Sequence, residues 1–144
     1  MSNQGVTNIL TETFLTSFSK VVSGASGMKT MCIGKFNPLS RKECELLLVA
    51  FESVNKFQFV KQSNPVIIVP LDRKKFDNSS IWESSICGLS NHRLVNYVVD
   101  MERCSIIDVI DRVKPDFLFI DRSLPECFQI ENFAKKLRIK LIKV

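Results

Sequence analysis

The stretch MCIGKFNPLSRKECELL, residues 31–47, decides the fold of this chain. It opens on apolar, β-prone residues that run into Gly34 and a short loop. Beyond the loop, apolar residues recur at helical spacing; they are Cys44, Leu47, Leu48 and Phe51. A buried strand, a tight loop and a helix in this order form the unit of a parallel α/β sheet, and the start of such a helix favours an anion. The stretch therefore predicts a strand-loop-helix unit of the kind that holds phosphate groups.

The rest of the chain repeats this alternation of apolar strands and helical patterns. Strands are predicted at 29–33, 66–69, 94–99, 117–120 and 139–144. Helices are predicted at 41–54, 80–89 and 105–113, with a last helix opened by Pro125. In the third helix, Ser105 and Asp108 have the spacing of a capping box. The pattern indicates an α/β, Rossmann-like three-layer sandwich with a five-stranded, mostly parallel sheet, because right-handed crossovers place helices on both faces of the sheet.

Residues 1–27 differ in composition from the rest and form a predicted N-terminal extension, followed by a Rossmann domain at 28–144. The extension is rich in Ser, Thr and Asn and ends in a Gly-containing stretch. Six of its apolar residues fall on one helical face: Ile9, Leu10, Phe14, Phe18, Val21 and Val22. They predict an amphipathic helix at 7–22, which packs on its own domain, on a second copy or on a partner.

Composition restricts the classes of function. Of the 144 residues, 45% are hydrophobic and 24% charged, and no apolar run is long enough to cross a membrane, so no membrane partner is expected. The five cysteines contain no C-x-x-C pair, which predicts free thiols in a reducing compartment and no metal site. The N-terminus lacks a secretory pattern, so an intracellular, cytoplasmic location is expected. The net charge of +5 favours either an anionic partner or simply a solvated surface.

The loop after the first of these strands resembles the nucleotidyltransferase superfamily, which includes glycerol-phosphate cytidylyltransferase. The shared segment of that family reads roughly G-x-F-D-P-x-H-x-G-H-x-x-L-L. The residues that match it are Gly34, Phe36, Pro38, Leu46 and Leu47. The two histidine positions fall on Ser40 and Glu43, and the glycine between them on Lys42. Ser40 and Glu43 also have the spacing of a capping box, in which Ser40 accepts from a backbone N–H and Glu43 reaches back to the cap.

The resemblance extends over about 29–144, where DVIDRVKPDFLFI at 108–120 is similar to a helix and strand of the family. Two further departures affect function. The family often has a Gly-containing turn where Asp121 and Arg122 stand, and its I-S-S-T-x-x-R-like segment does not occur in these 144 residues. Neither Ser40 nor Glu43 can donate to phosphates as the imidazoles of the family do. The resemblance therefore implies a pseudoenzyme with no catalytic residues.

These observations predict a catalytically degenerate, cytidylyltransferase-like domain that acts as a non-enzymatic binding or scaffolding module, with a protein partner or a homo-oligomer. If nucleotide binding is retained, the residues expected to provide it are Gly34, Lys35, Phe36, Lys42 and Lys74. No cofactor is expected. One alternative is an active nucleotidyltransferase that uses Mg²⁺ and CTP or ATP on a small phosphorylated acceptor, with Lys35, Lys42 or the 73–75 loop. The other alternative is nucleic-acid binding through the basic clusters, for which no RNA-recognition motif is found.

Overall fold

One parallel β-sheet organises the structure, a computed structural model that describes residues 8–11, 28–37, 39–57 and 65–144. Its strands are β1 (Asn8–Thr11), β2 (Lys29–Ile33), β3 (Val66–Asp72), β4 (Tyr97–Met101), β5 (Phe117–Ile120) and β6 (Lys140–Lys143). Their order across the sheet is β1-β4-β3-β2-β5-β6, and every pair of neighbours is parallel. The chain builds outward from β2 in one direction to β3 and β4, and in the other to β5 and β6. A topological switch point therefore lies between β2 and β5.

Helices cover both faces of the sheet. They are α1 (Arg41–Phe57), α2 (Ser79–Ser90), α3 (Ile106–Val113) and α4 (Cys127–Lys136), with a 3-10 turn at Arg73–Lys75. On one face, apolar residues of α1 and α2 form a core with Phe117 and Phe119 of β5. On the other face, α3 and α4 pack on Leu118 and Ile120 of the same strand. Successive residues of β5 thus serve opposite cores, as buried parallel strands do. The predicted Rossmann-like three-layer α/β sandwich is confirmed.

The five predicted strands are all present, with β2 and β5 at their predicted bounds. β3 continues to Asp72, whereas β4 begins only at Tyr97 instead of at 94. The late start of β4 has a local cause: the Asn96 side-chain oxygen accepts from the Ile67 N–H at 2.8 Å and takes the place of a ladder bond. The predicted capping box at the start of α3 is confirmed, since Ser105 and Asp108 exchange both hydrogen bonds.

The N-terminal extension differs from its prediction. Residues Asn8–Thr11 form β1 and pair with β4, so the prediction of a helix from residue 7 is wrong over this stretch. The open edge of β4 offers a row of backbone partners, and this pairing overrides the helical spacing of Ile9 and Leu10. The rest of the predicted helix, residues 12–22, lies outside the described residues, and the domain boundary after residue 27 stays a prediction. Among the described helices, none is long and apolar enough to span a membrane.

Candidate functional site: a cleft at the carboxyl edge of the sheet

A cleft of about 490 Å³ opens at the carboxyl edge of the sheet, beside the switch point. The segments that line it follow β2, β3, β4 and β5, and so approach from both faces of the sheet. Its volume falls within the range of small-molecule sites, which is about 300–1,000 Å³. The position is also the one where open α/β sheets bind ligands. We therefore treat this cleft as the candidate site.

The deepest part of the cleft is apolar. Buried side chains at the ends of three strands contribute to it; they are Ile33, Pro70, Leu71 and Met101. Leu124 and the half-buried Ile106 complete this surface from the segments before α4 and at the start of α3. Burying apolar ligand surface against such a wall is favourable in proportion to the area removed from water.

Three exposed lysines line the cleft. They differ in how closely a carboxylate of the same chain pairs with each ammonium group. Lys75 Nζ is 2.9 Å from Glu126 Oε1, an ion pair that joins the turn after β3 to the segment before α4. Lys74 Nζ lies 3.9 Å from Asp72 Oδ1, an oxygen that already accepts from the Lys74 backbone N–H at 3.0 Å. Lys35 has no hydrogen-bond or ion-pair partner within the described part of the chain. Lys35 is thus the cation most available to an anionic ligand.

Arg73, the first residue of the basic turn, makes contacts within the protein that leave it less available to an anionic ligand. Its Nη2 donates to Asp100 Oδ2 at 2.8 Å, and its guanidinium lies 5.0 Å from the centroid of the Trp82 ring. Phe76 packs edge-on against the same ring, with centroids 5.1 Å apart. Arginine stacked on an aromatic ring and paired with a carboxylate stabilises its surroundings. The side chain therefore joins β3, β4 and α2, and only part of the basic turn faces the cleft.

At the start of α1, Ser40 and Glu43 occupy the two histidine positions of the resembling family. Glu43 Oε1 accepts from the Ser40 N–H at 3.0 Å and also from Ser40 Oγ. Half of the predicted capping box is therefore confirmed. The other half is wrong: the Ser40 hydroxyl donates to the carboxylate and does not accept from the backbone, because the nearby charged oxygen is the stronger acceptor. Glu43 is only 6% exposed, so a negative group is buried at this helix start.

Lys42 forms the contact that spans the switch point. Its Nζ lies 3.1 Å from Asp121 Oδ2, directly after β5, and donates to Ser123 Oγ at 3.2 Å. The other oxygen of Asp121 accepts from the Ser123 N–H at 2.9 Å and from Ser123 Oγ at 2.7 Å. Asp121 is only 4% exposed, and this burial by itself raises the pKa of its carboxyl group. The hydrogen bonds from Ser123 and the charge of Lys42 outweigh burial, and the net pKa is below its ordinary value.

Gly34 and Phe36 have a packing role in the loop. Phe36 is fully buried in the core under α1, and its φ of 48° is a left-handed conformation that non-glycine residues adopt rarely. A Cβ on Gly34 would lie 3.1 Å from Phe36 Cε2 and 3.3 Å from Leu46 Cδ2. The glycine therefore leaves room for the buried ring. This explains the Gly-x-Phe spacing without any ligand.

The structure brings together three of the five predicted nucleotide-binding residues. Gly34, Lys35 and Lys74 line the cleft, whereas Phe36 lies in the core and Lys42 is bound to Asp121, off the lining that the described residues form. A role of these five in nucleotide binding stays a prediction. Sequence reasoning missed the walls that follow β4 and β5, because no local motif marks them. In the described residues, no three His, Cys, Asp or Glu side chains are grouped to hold a metal ion.

Comparisons with known proteins address the fold. No protein-family model matches the sequence. No curated protein matches it either. Among solved structures, the chain is similar to the lipopolysaccharide core biosynthesis protein from Thermoplasma volcanium GSS1, with a TM-score of 0.56 and 16% sequence identity. The match covers 81% of this chain and 95% of the other. A likeness at this identity shows the Rossmann-like α/β fold alone.

Proposed function

We propose that this chain is a degenerate, cytidylyltransferase-like domain that binds or scaffolds within a protein assembly and does not transfer nucleotides. One observation carries the proposal: three of the basic groups at the carboxyl edge of the sheet are paired with carboxylates of the chain itself. Lys42 is paired with Asp121, Arg73 with Asp100 and Lys75 with Glu126. The similarity to a solved lipopolysaccharide core biosynthesis protein supports the Rossmann-like fold that this proposal requires and leaves the activity open.

The physical argument concerns transition-state charge. Nucleotidyl transfer depends almost wholly on cations and donors that are positioned on the phosphates and free to act there. At the start of α1, the Glu43 carboxylate instead lies buried near the helix N-terminus and accepts from Ser40. A carboxylate at this place competes with a phosphate for the positive end of the helix dipole. The site therefore offers little of the stabilisation that the reaction needs.

Exposed apolar side chains support a protein partner. Phe128 in the first turn of α4 is 73% exposed, close in sequence to the cleft wall formed by Leu124 and Pro125. Leu48 and Val49 are exposed side by side on α1, at 44% and 39%. Exposed apolar patches mark sites of association, and aromatic residues are enriched in protein interfaces. These surfaces are candidates for a partner or a second copy of the chain.

The test measures pyrophosphate release from CTP and ATP with Mg²⁺ and a panel of small phosphorylated alcohols. We expect no release above a protein-free blank. Turnover that is lost in Lys35→Ala would contradict the proposal and establish the active-enzyme alternative, which Lys35 and Lys74 favour by lining the cleft. The Lys56→Ala variant is the control, because Lys56 is an exposed lysine near the end of α1 that does not line the cleft. Salt-dependent retention of RNA tests the nucleic-acid alternative.

A further inference from the structure

We propose that the cleft binds a small amphiphilic anion, a single carboxylate or phosphate group on an apolar body, in preference to a nucleoside triphosphate. This inference rests on the proposed function, because it names the ligand class of the same cleft. Two properties of the lining support it: the small surplus of positive charge and the apolar surface beneath that charge.

The charge of the lining limits the charge of the ligand. Lys35, Lys74 and Lys75 face Asp72 and Glu126, so a net charge of +1 remains. The Lys75 ammonium forms an ion pair with Glu126 at 2.9 Å, and the Lys74 ammonium forms a longer one with Asp72 at 3.9 Å. A single carboxylate balances this surplus through Lys35, and a phosphate monoester, with a charge of about −1.5 to −2, exceeds it by at most about one charge. A triphosphate carries several negative charges, and the two carboxylates of the lining repel those that the lysines leave unbalanced.

The apolar surface accounts for the rest of the ligand. Leu71 and Met101 are each 2% exposed at the ends of β3 and β4, and Ile33 and Leu124 complete a wall without charged atoms. This wall is continuous with the lysine rim in one cleft of about 490 Å³. A hydrocarbon chain or an aromatic ring gains affinity by covering it, whereas a ribose or a phosphate chain leaves polar groups unpaired there. The Lys75–Glu126 ion pair joins two walls of the cleft.

The experiment uses the full chain and a fluorescent aromatic monoanion, 1-anilinonaphthalene-8-sulfonate, as the probe. We expect saturable binding with a stoichiometry of one, and displacement by octanoate or octyl phosphate at concentrations where CTP does not displace it. Because both carry an eight-carbon chain, displacement by octanoate alone identifies a carboxylate head group, and displacement by octyl phosphate alone identifies a phosphate. Absence of saturable binding, or displacement by CTP at lower concentration than by both amphiphiles, would overturn the inference.

Variants separate the cleft from nonspecific apolar binding. Lys35→Ala is expected to weaken probe binding about fivefold, the loss of one exposed ionic contact. Ile106→Gln, a change on the half-buried apolar side, is expected to weaken it as well. Lys56→Ala is the matched control and should bind like the unaltered chain. Circular dichroism verifies the fold of each variant. Equal binding by Lys35→Ala and the unaltered chain would refute the assignment.

The failure of this inference is distinguishable from the failure of the proposed function. Pyrophosphate release with CTP or ATP that is lost in Lys35→Ala contradicts the non-enzymatic proposal whatever the probe does. If no pyrophosphate is released and neither amphiphile displaces the probe, the ligand class is wrong and the non-enzymatic proposal stands.

Discussion

Removing the Asp121 carboxylate is expected to destabilise the fold by about 2–3 kcal/mol. Hydrogen bonds to a charged group contribute about 1.5–3 kcal/mol when buried, and the two from Ser123, at 2.9 and 2.7 Å, are at a partly exposed turn. The ion pair with Lys42 adds at most about 1 kcal/mol, since the Lys42 side chain is 61% exposed. For a domain of this size, the loss corresponds to a fall in Tm of roughly 5–10 °C.

The assay is urea unfolding followed by the fluorescence of Trp82, the single tryptophan, which is 6% exposed in the core under α1 and α2. Asp121→Ala is compared with Asp111→Ala. The Asp111 carboxylate is 57% exposed and 3.9 Å from Lys114 Nζ, so its loss should change the free energy of unfolding by less than about 0.5 kcal/mol. If Asp121→Ala is as stable as Asp111→Ala, the reasoning that Asp121 anchors the switch point is refuted.

The pH dependence of stability provides a second readout, for which the unaltered chain is compared with Asp121→Asn. The pKa of Asp121 is lower in the folded chain than its ordinary value of 3.8. At a pH just below that value, the folded state therefore keeps this carboxylate ionised while the unfolded state already binds a proton. Its stabilisation is complete above this ordinary value and is lost as the pH falls through the lower folded pKa. The difference between the unaltered chain and Asp121→Asn, which cannot ionise, should therefore be constant above about pH 5 and shrink below pH 4. A difference that grows on acidification would contradict this sign.

Two further predictions use single substitutions, and a third uses thiol labelling of the unaltered chain. Gly34→Ala should lower the free energy of unfolding by about 1–3 kcal/mol, because the new Cβ meets a buried ring at 3.1 Å. Gly88→Ala should instead stabilise α2 by about 0.5–1 kcal/mol, since the nearest neighbour of its new Cβ is 3.5 Å away. Chemical denaturation measures both changes. Ser105→Ala should lower the stability by about 1 kcal/mol through loss of the α3 cap, read from the Tm. Cys87 is exposed and should react with a thiol reagent in the native state, while burial raises the pKa of Cys32 and protects it; mass spectrometry of labelled peptides distinguishes the two.

The candidate site shows which of its parts the residue patterns could predict. The Gly-x-Phe spacing correctly located a loop at the edge of the sheet, and Gly34, Lys35 and Lys74 line the cleft as their positions after β2 and β3 indicated. The same pattern named Phe36 among the nucleotide-binding residues expected if binding is retained, and the structure places its ring in the core. Family resemblance marks positions along the chain and carries no information about which side of the loop a side chain occupies.

The sequence by itself determined the alternation of strands and helices, because hydrophobic periodicity and caps such as Ser105 with Asp108 act between residues that are close along the chain. It also determined the α/β class, since continuous apolar strands require helices on both faces. Only the tertiary structure decided that Asn8–Thr11 joins the sheet beside β4 and that Lys42 meets Asp121 across the switch point. Both contacts join segments far apart in the chain, and the order of strands in the sheet brings them together.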